Sequence, residues 1–278
     1  MPNVNGGSMS ADSNKTFGND GGAYELYMGR WSRLVAGRFL DWLAVPVSSR
    51  WLDVGSGTGN LSQAVLANCG PAEVLGVEPS AGFVAQARVA VQDQRASFKI
   101  GDAGSLPVES AVYDAVISGL VLNFIPDVDG GIAEMARAVR PGGTVAAYVW
   151  DYAGKMEIMR QFWDVALTLD PAASRFDEGR REPPLCEPVA LAEHFRDAGL
   201  ANVEVRSVDV KARFVDFDDY WSPFTGKQGS APTYVMSLDD ESRMSLKEHL
   251  RSALPVAANG SIDLIARAWA VRGKLPGA

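Results

Sequence analysis

Trp51-Leu52-Asp53-Val54-Gly55-Ser56-Gly57-Thr58-Gly59-Asn60-Leu61 begins as a strand and ends as a helix, with three alternate glycines at the turn. Trp51, Leu52 and Val54 suit a parallel strand buried on both faces. Gly55, Gly57 and Gly59 carry no Cβ where the backbone turns sharply, so a ligand can come close. A helix opening near Asn60 aims free N–H groups and a partial positive charge at whatever lies over the loop. This is the ligand end of a doubly wound α/β sheet.

Outward from this turn, strand and helix signals alternate. Upstream, Leu34, Val35, Phe39, Trp42 and Leu43 recur at helical spacing, which predicts a helix to about Leu43, stopped by Pro46. Downstream, a helix to about Ala67 is followed by a strand over 72–78, a helix over 81–91 capped by Ser80, and the short strand Phe98-Lys99-Ile100. A strand over 113–118, a helix over 130–139 ended by Arg140-Pro141-Gly142-Gly143, and a strand over 144–150 complete the rhythm. Such alternation predicts a parallel sheet with right-handed crossovers.

After Trp150 the rhythm changes. An amphipathic helix over 156–169, a polar loop over 170–188 and a helix over 191–198 precede a strand through Val203, Val205, Val208 and Val210. The break in that alternation suggests a bulge. A last strand over 262–271 follows a long connection that holds Tyr220-Trp221-Ser222-Pro223-Phe224 and a helix near 239–254. Connections of that length are usually functional or carry structure of their own. Residues 1–22, rich in Asn, Gly and Ser, are expected to form a disordered tail, and 23–278 one domain. Within it, about 24–151 form the ligand-binding core, and 152–278 supply lid insertions and the last two strands.

The net charge of −8 argues against nucleic acid as a partner, since a phosphate backbone selects basic surface. Cys69 and Cys186 stand far apart without a CxxC or a His cluster, which suits two thiols in a reducing cytoplasm. No apolar run approaches the roughly 20 residues of a membrane span. No His, Cys and Asp cluster has metal-site spacing. His194 and His249 sit among charged helix neighbours and are expected at the surface.

The ligand is narrowed by three carboxylates. A dinucleotide site needs G-x-G-x-x-G, and here Asn60 stands where the last glycine belongs. Asp53, two residues before the first glycine, suits an amino-bearing ligand better than a pyrophosphate. Glu78, ending the second strand, can accept hydrogen bonds from two ribose hydroxyls. Asp102, ending the third, can accept from an exocyclic amine such as adenine N6.

Leu52 to Gly59, Val77-Glu78-Pro79-Ser80, Gly101-Asp102-Ala103, Tyr113 to Ser118 and Arg140-Pro141-Gly142-Gly143 together resemble the class I S-adenosylmethionine-dependent methyltransferases, nearest the ubiquinone and menaquinone branch. The resemblance covers about residues 24–151. It implies an α/β fold with a seven-stranded, mostly parallel sheet, Rossmann-like, whose last strand is inserted antiparallel beside the fifth. It implies S-adenosyl-L-methionine as cofactor, methyl transfer to a small molecule, and a monomer or homodimer. Gly55, Ser56, Gly57, Gly59, Asn60 and Leu61 are then expected against the methionine part and ribose. Glu78 takes the ribose hydroxyls, Pro79 and Ser80 flank the adenine, and Gly101, Asp102 and Ala103 read its edge. Ser118, Gly119, Leu120 and Asn123 line the methionine end. Tyr24, Met28 and Trp31 share a helical face that can close over the cofactor, and Arg30 is a partner for its carboxylate. Trp150, Tyr220, Trp221 and Phe224 are candidates for the acceptor pocket or for the core, and Lys227 is either a contact for an anionic group on the acceptor or a solvated loop lysine. Many relatives carry His in a His-hydrophobic-Pro-Asp run where this chain has Asn123-Phe124-Ile125-Pro126-Asp127, so no catalytic base is assigned. A nicotinamide-dependent oxidoreductase and a non-catalytic cofactor binder remain the alternatives.

Overall fold

A computed structural model describes residues 29–180, 185–226 and 229–277. The expected tail, Tyr24, Met28 and Lys227 lie outside the described residues.

Seven strands form one sheet in the order β3-β2-β1-β4-β5-β7-β6. They are β1 (Arg50–Val54), β2 (Glu73–Glu78), β3 (Ala96–Ile100), β4 (Tyr113–Gly119), β5 (Val139–Trp150), β6 (Ala201–Phe214) and β7 (Ile262–Lys274). The first five are mutually parallel, and β7 enters antiparallel between β5 and β6. The order reverses between β1 and β4, so their carboxyl ends open a crevice for a ligand.

The helices are α1 (Arg30–Leu43), α2 (Asn60–Asn68), α3 (Ala81–Ala90), α4 (Val128–Ala138), α5 (Glu157–Leu169), α6 (Pro188–Asp197), α7 (Phe217–Trp221), α8 (Ser230–Ser237) and α9 (Asp240–Ala253). One sheet face packs Trp51, Val74, Ile117, Tyr148 and Trp150 against α1, α2, α3 and α5. The other packs Leu52, Val54, Val77 and Val145 against α4 and α6. Alternation along each strand assigns the two sets.

Two local expectations change. Arg140-Pro141-Gly142-Gly143 does not separate helix from strand, because β5 already starts at Val139. Val139 pairs with Tyr113 and Thr144 with Ala115, so the four residues bulge opposite Asp114, with Gly142 at φ +78°. Asp114 holds the bulge through an ion pair to Arg140. In β6 the register runs unbroken from Glu204 to Phe214, and the irregularity lies earlier, between Ala201 and Glu204. The shift from Val203 and Val205 to Val208 and Val210 is a change of face. The first pair packs on the α6 side, and the second joins Phe214 on the α1 side.

Candidate functional site

Gly55, Gly57 and Gly59 all have positive φ, at +73°, +53° and +92°. The loop hangs on β2, with the Gly55 and Ser56 N–H groups donating to Val77 O at 2.8 and 3.1 Å. A Cβ on Gly59 would meet Val91 Cγ2 at 2.9 Å, whereas one on Gly57 would meet nothing within 4 Å. Gly59 is therefore dictated by packing under the loop, and Gly57 faces the open crevice.

Glu78 ends β2 and is buried. Its Oε2 accepts from the Gly57 N–H at 3.1 Å and its Oε1 from the Ser80 N–H at 2.9 Å. A carboxylate has about four acceptor positions, so one lone pair per oxygen is left for a ligand. Burial pushes the Glu78 carboxyl above the usual range, and the two N–H donors oppose that.

Asp53 is 1% exposed. Its Oδ2 accepts from Ser62 Oγ at 2.7 Å, while its Oδ1 has no partner among the described residues. Ser56 Oγ is likewise buried and unpartnered among them. Burial raises the Asp53 carboxyl to about 7, opposed by the Ser62 hydrogen bonds and aided by Glu78. Ser62, in the first turn of α2, escapes the sequence argument. Its only signal there is a hydroxyl three residues after Gly59.

The sign of the Asp53 effect is checkable. A carboxyl whose folded pKa is raised contributes stability that is present at low pH and lost as pH rises from about 4 to about 7. Asp53→Asn keeps an acceptor for Ser62 and removes the charge. Relative to the parent, the ligand-free variant is expected to gain at least about 1 kcal/mol between pH 5 and pH 8, since each pKa unit is worth 1.36 kcal/mol. Urea denaturation at the two pH values reads this. A pH-independent difference would show that the buried carboxyl does not titrate in that range.

Ser118 Oγ donates to Val54 O at 2.9 Å and ties the end of β4 to β1. Gly119 lies opposite Tyr148, and a Cβ there would sit 2.7 Å from the Tyr148 hydroxyl and 3.0 Å from Leu61 Cδ2. The end of β5 is thereby pressed against the start of α2. Leu120 adopts φ +62°, with its N–H on Tyr148 O. Asn123 is half-buried in the short turn Leu122–Phe124. Gly101 donates to Glu78 O at 3.2 Å, which places Asp102 and Ala103 beside Glu78. Asp102 is exposed and accepts from the Gly104 N–H at 2.8 Å. Pro79 is exposed, and Ser80 caps α3 through Phe83 N.

Other candidates are used elsewhere. Arg30 ion-pairs with Asp219 at 3.2 Å and lies over the Trp31 and Phe214 rings. Trp31 is buried against Phe214, with ring centroids 5.2 Å apart. Tyr220 is wholly buried, donates to Ile158 O at 3.0 Å, and has its phenol pushed up by burial. Phe224 stacks on Phe162 at 4.5 Å, and Trp221 stacks on Phe217. These aromatics join the same apolar core that covers the α1 face of the sheet. Its polar counterpart was not foreseen. Arg160 of α5 pairs with buried Asp177 at 2.8 Å, and Trp163 Nε1 of α5 donates to Glu178 at 2.8 Å, both carboxylates coming from the stretch expected to be a plain polar loop. His194 docks α6 on α4 through Asp129 at 2.6 Å.

These acceptor groups fit a ligand with an ammonium and a ribose. Asp53 Oδ1 and Ser56 Oγ are buried oxygens without protein partners among the described residues, and the Glu78 carboxylate, held between Gly57 and the Ser80 cap of α3, keeps spare lone pairs. Residues 52–147 match the family profile described as methyltransferase domain. Demethylmenaquinone methyltransferase of Roseiflexus castenholzii is 30% identical over 185 residues, 61% of this chain and 75% of that protein. The chain belongs to the class I S-adenosylmethionine-dependent methyltransferases.

For this methyltransferase the oxidoreductase alternative is set aside, and S-adenosylmethionine is the cofactor. Solved structures share the fold. The YcgJ protein of Bacillus subtilis superposes with a TM-score of 0.58 at 18% identity, over 88% of this chain and 99% of that one. Phosphoethanolamine N-methyltransferase 2 of Haemonchus contortus, solved with phosphomonomethylethanolamine and S-adenosylhomocysteine, gives 0.59 at 17% identity. It covers 96% of this chain and 60% of that one. Among the described residues no helix is long and apolar enough to cross a membrane, and no His, Cys, Asp and Glu group is arranged to hold a metal.

Proposed function

We propose that this methyltransferase acts on a small, partly apolar acceptor, with the methyl held in line between sulfur and nucleophile. The observation that carries the cofactor placement is the buried Glu78 carboxylate. It is fixed by Gly57 and Ser80 and keeps one lone pair on each oxygen beside the open face of Gly57. Glu78 takes the ribose hydroxyls, and Asp53 with Ser56 receives the ammonium end. Gly55 to Leu61 lie under the methionine part. Pro79, Ser80, Gly101, Asp102 and Ala103 enclose the adenine, and Ser118, Gly119, Leu120 and Asn123 border the methyl. Arg30 reaches the cofactor carboxylate only by leaving Asp219.

When bound, the cofactor supplies a sulfonium methyl, whose C–S electron pair stays on sulfur as the acceptor bond forms. The protein's part is positioning and exclusion of water, and effective molarity accounts for much of the rate. Asn123 is no base at neutral pH, so the acceptor ionises without a side-chain base at that position. Two free cysteines, Cys69 and Cys186, support work in a reducing cytoplasm.

Isothermal titration with S-adenosylmethionine and with NAD, followed by labelled-methyl transfer to phenols, enols and amines, tests this. Binding of S-adenosylmethionine and labelling of a small acceptor are expected. Binding of NAD alone, or labelling confined to protein or nucleic acid, overturns it.

A further inference from the structure

Trp150 is the last residue of β5, whose carboxyl end lies on the same sheet edge as the glycine loop because β1, β4 and β5 are parallel. Its side chain projects from the same face as Tyr148, two residues earlier. Tyr148 in turn abuts Gly119 and Leu61, so Trp150 lies on that face one step farther toward the carboxyl end of β5. The indole is 2% exposed, and its Nε1–H has no hydrogen-bond partner among the described residues. By contrast, the buried Trp163 indole donates to Glu178. A buried N–H left unpaired costs stability, so such groups call for an explanation. Trp51 Nε1 is also unpartnered, but Trp51 lies near the amino end of β1, away from the crevice.

We propose that Trp150 is a specificity-determining residue whose indole N–H donates to an oxygen of the methyl acceptor. This selects phenol- or enol-type acceptors, held as oxyanions, over amines. An indole N–H is a donor only; an oxyanion can accept it on one lone pair and attack the methyl with another, whereas an amine has a single lone pair and cannot do both at once. A donor at an oxyanion favours the ionised acceptor, and that suits a site with Asn123 where a base would stand. The proposal rests on the cofactor placement given above.

The test is ¹⁵N-tryptophan NMR of the full chain, with the Trp150 Nε1–H signal assigned by its loss in Trp150→Phe. S-adenosylhomocysteine is added first, then 1-naphthol or its isostere 1-naphthylamine. With 1-naphthol, a saturable downfield shift at Trp150 is expected, with Trp51 unmoved. 1-Naphthol should bind at least about fivefold tighter than 1-naphthylamine, the scale of one hydrogen bond. Trp150→Phe should lose that preference, and the control Trp51→Phe should keep it. No shift at Trp150, an equal shift at Trp51, or equal binding of the amine overturns the proposal. Backbone amide shifts at Gly55, Gly57 and Gly59 on adding S-adenosylhomocysteine separate the two claims. If they fail to move, the cofactor placement is wrong. If they move while 1-naphthol leaves Trp150 unchanged, only the acceptor assignment falls.

Discussion

Replacing Glu78 by alanine is expected to raise the dissociation constant for S-adenosylmethionine by at least about 30-fold. That corresponds to about 2 kcal/mol, where one hydrogen bond to a charged group is worth about 1.5–3 kcal/mol. The loss has two sources. The ribose loses its acceptors, and the loop loses the clamp from Gly57 to Ser80 through one carboxylate. Glu78→Gln separates them. An amide keeps one acceptor oxygen and turns a donor toward one of the two N–H groups, so its effect should lie between parent and alanine. Isothermal titration measures the affinity, and a urea midpoint taken alongside reports on the loop. An unchanged dissociation constant in Glu78→Ala would refute the ribose assignment.

Gly55→Ala is expected to lower stability by about 2–4 kcal/mol. At φ +73° an L side chain costs about 1–2 kcal/mol. The new methyl also overlaps the Val121 side chain, with Cγ2 at 2.7 Å, and overpacking typically costs about 1–3 kcal/mol. Val121 is β-branched and stiff at χ1, so it cannot swing away. The double variant Gly55→Ala/Val121→Ala should recover the steric part and leave the conformational part. Gly57→Ala is the contrast, because its methyl would point into open space. It should lose only about 1 kcal/mol of stability while weakening cofactor binding, since the methyl occupies the ligand's side of the loop. Urea denaturation of the three variants measures the first effect and titration the second. Equal destabilisation by Gly55→Ala and Gly57→Ala would contradict the packing account.

The fold was legible from β1 to β5 because apolar strands, capped helices and a glycine turn all agree locally. Strand ends could be placed closely because Asp53 and Glu78 are polar interruptions of apolar runs, at the last residue but one of β1 and the last of β2, while Asp102 falls two residues beyond β3. The seven-stranded sheet with β7 antiparallel beside β5 follows from the family resemblance, and the strand order matches it. Lengths were less legible. β6 and β7 run on into charged residues such as Lys211 and Arg272, which an exposed strand side tolerates and an apolar count misses. The break in the β6 pattern reads as a bulge because a single sequence cannot tell an inserted residue from a strand that packs one face and then the other.

The candidate site was most readable where its groups sit on a strand end or a tight turn, as at Gly57 and Glu78, which the structure joins by a hydrogen bond. The roof was not. Tyr220, Trp221 and Phe224 have the composition of a ligand pocket and of a core alike, and only the structure shows them buried, with Phe224 stacked on Phe162. Arg30 has the chemistry to hold a carboxylate, yet Asp219, 189 residues away in sequence, is the one it meets. The Arg160–Asp177 pair was missed for the same reason, because it is set by how α5 packs on the turns that follow it.

The most direct measurement is a crystal structure of the full chain with S-adenosylhomocysteine. The account predicts both ribose hydroxyls on Glu78, the amino group within reach of Asp53 Oδ1 or Ser56 Oγ, and the methionine chain over Gly57 toward Gly119. Ligand density elsewhere, or a Glu78 that still bonds only Gly57 and Ser80 with the nucleoside out of reach, would contradict it.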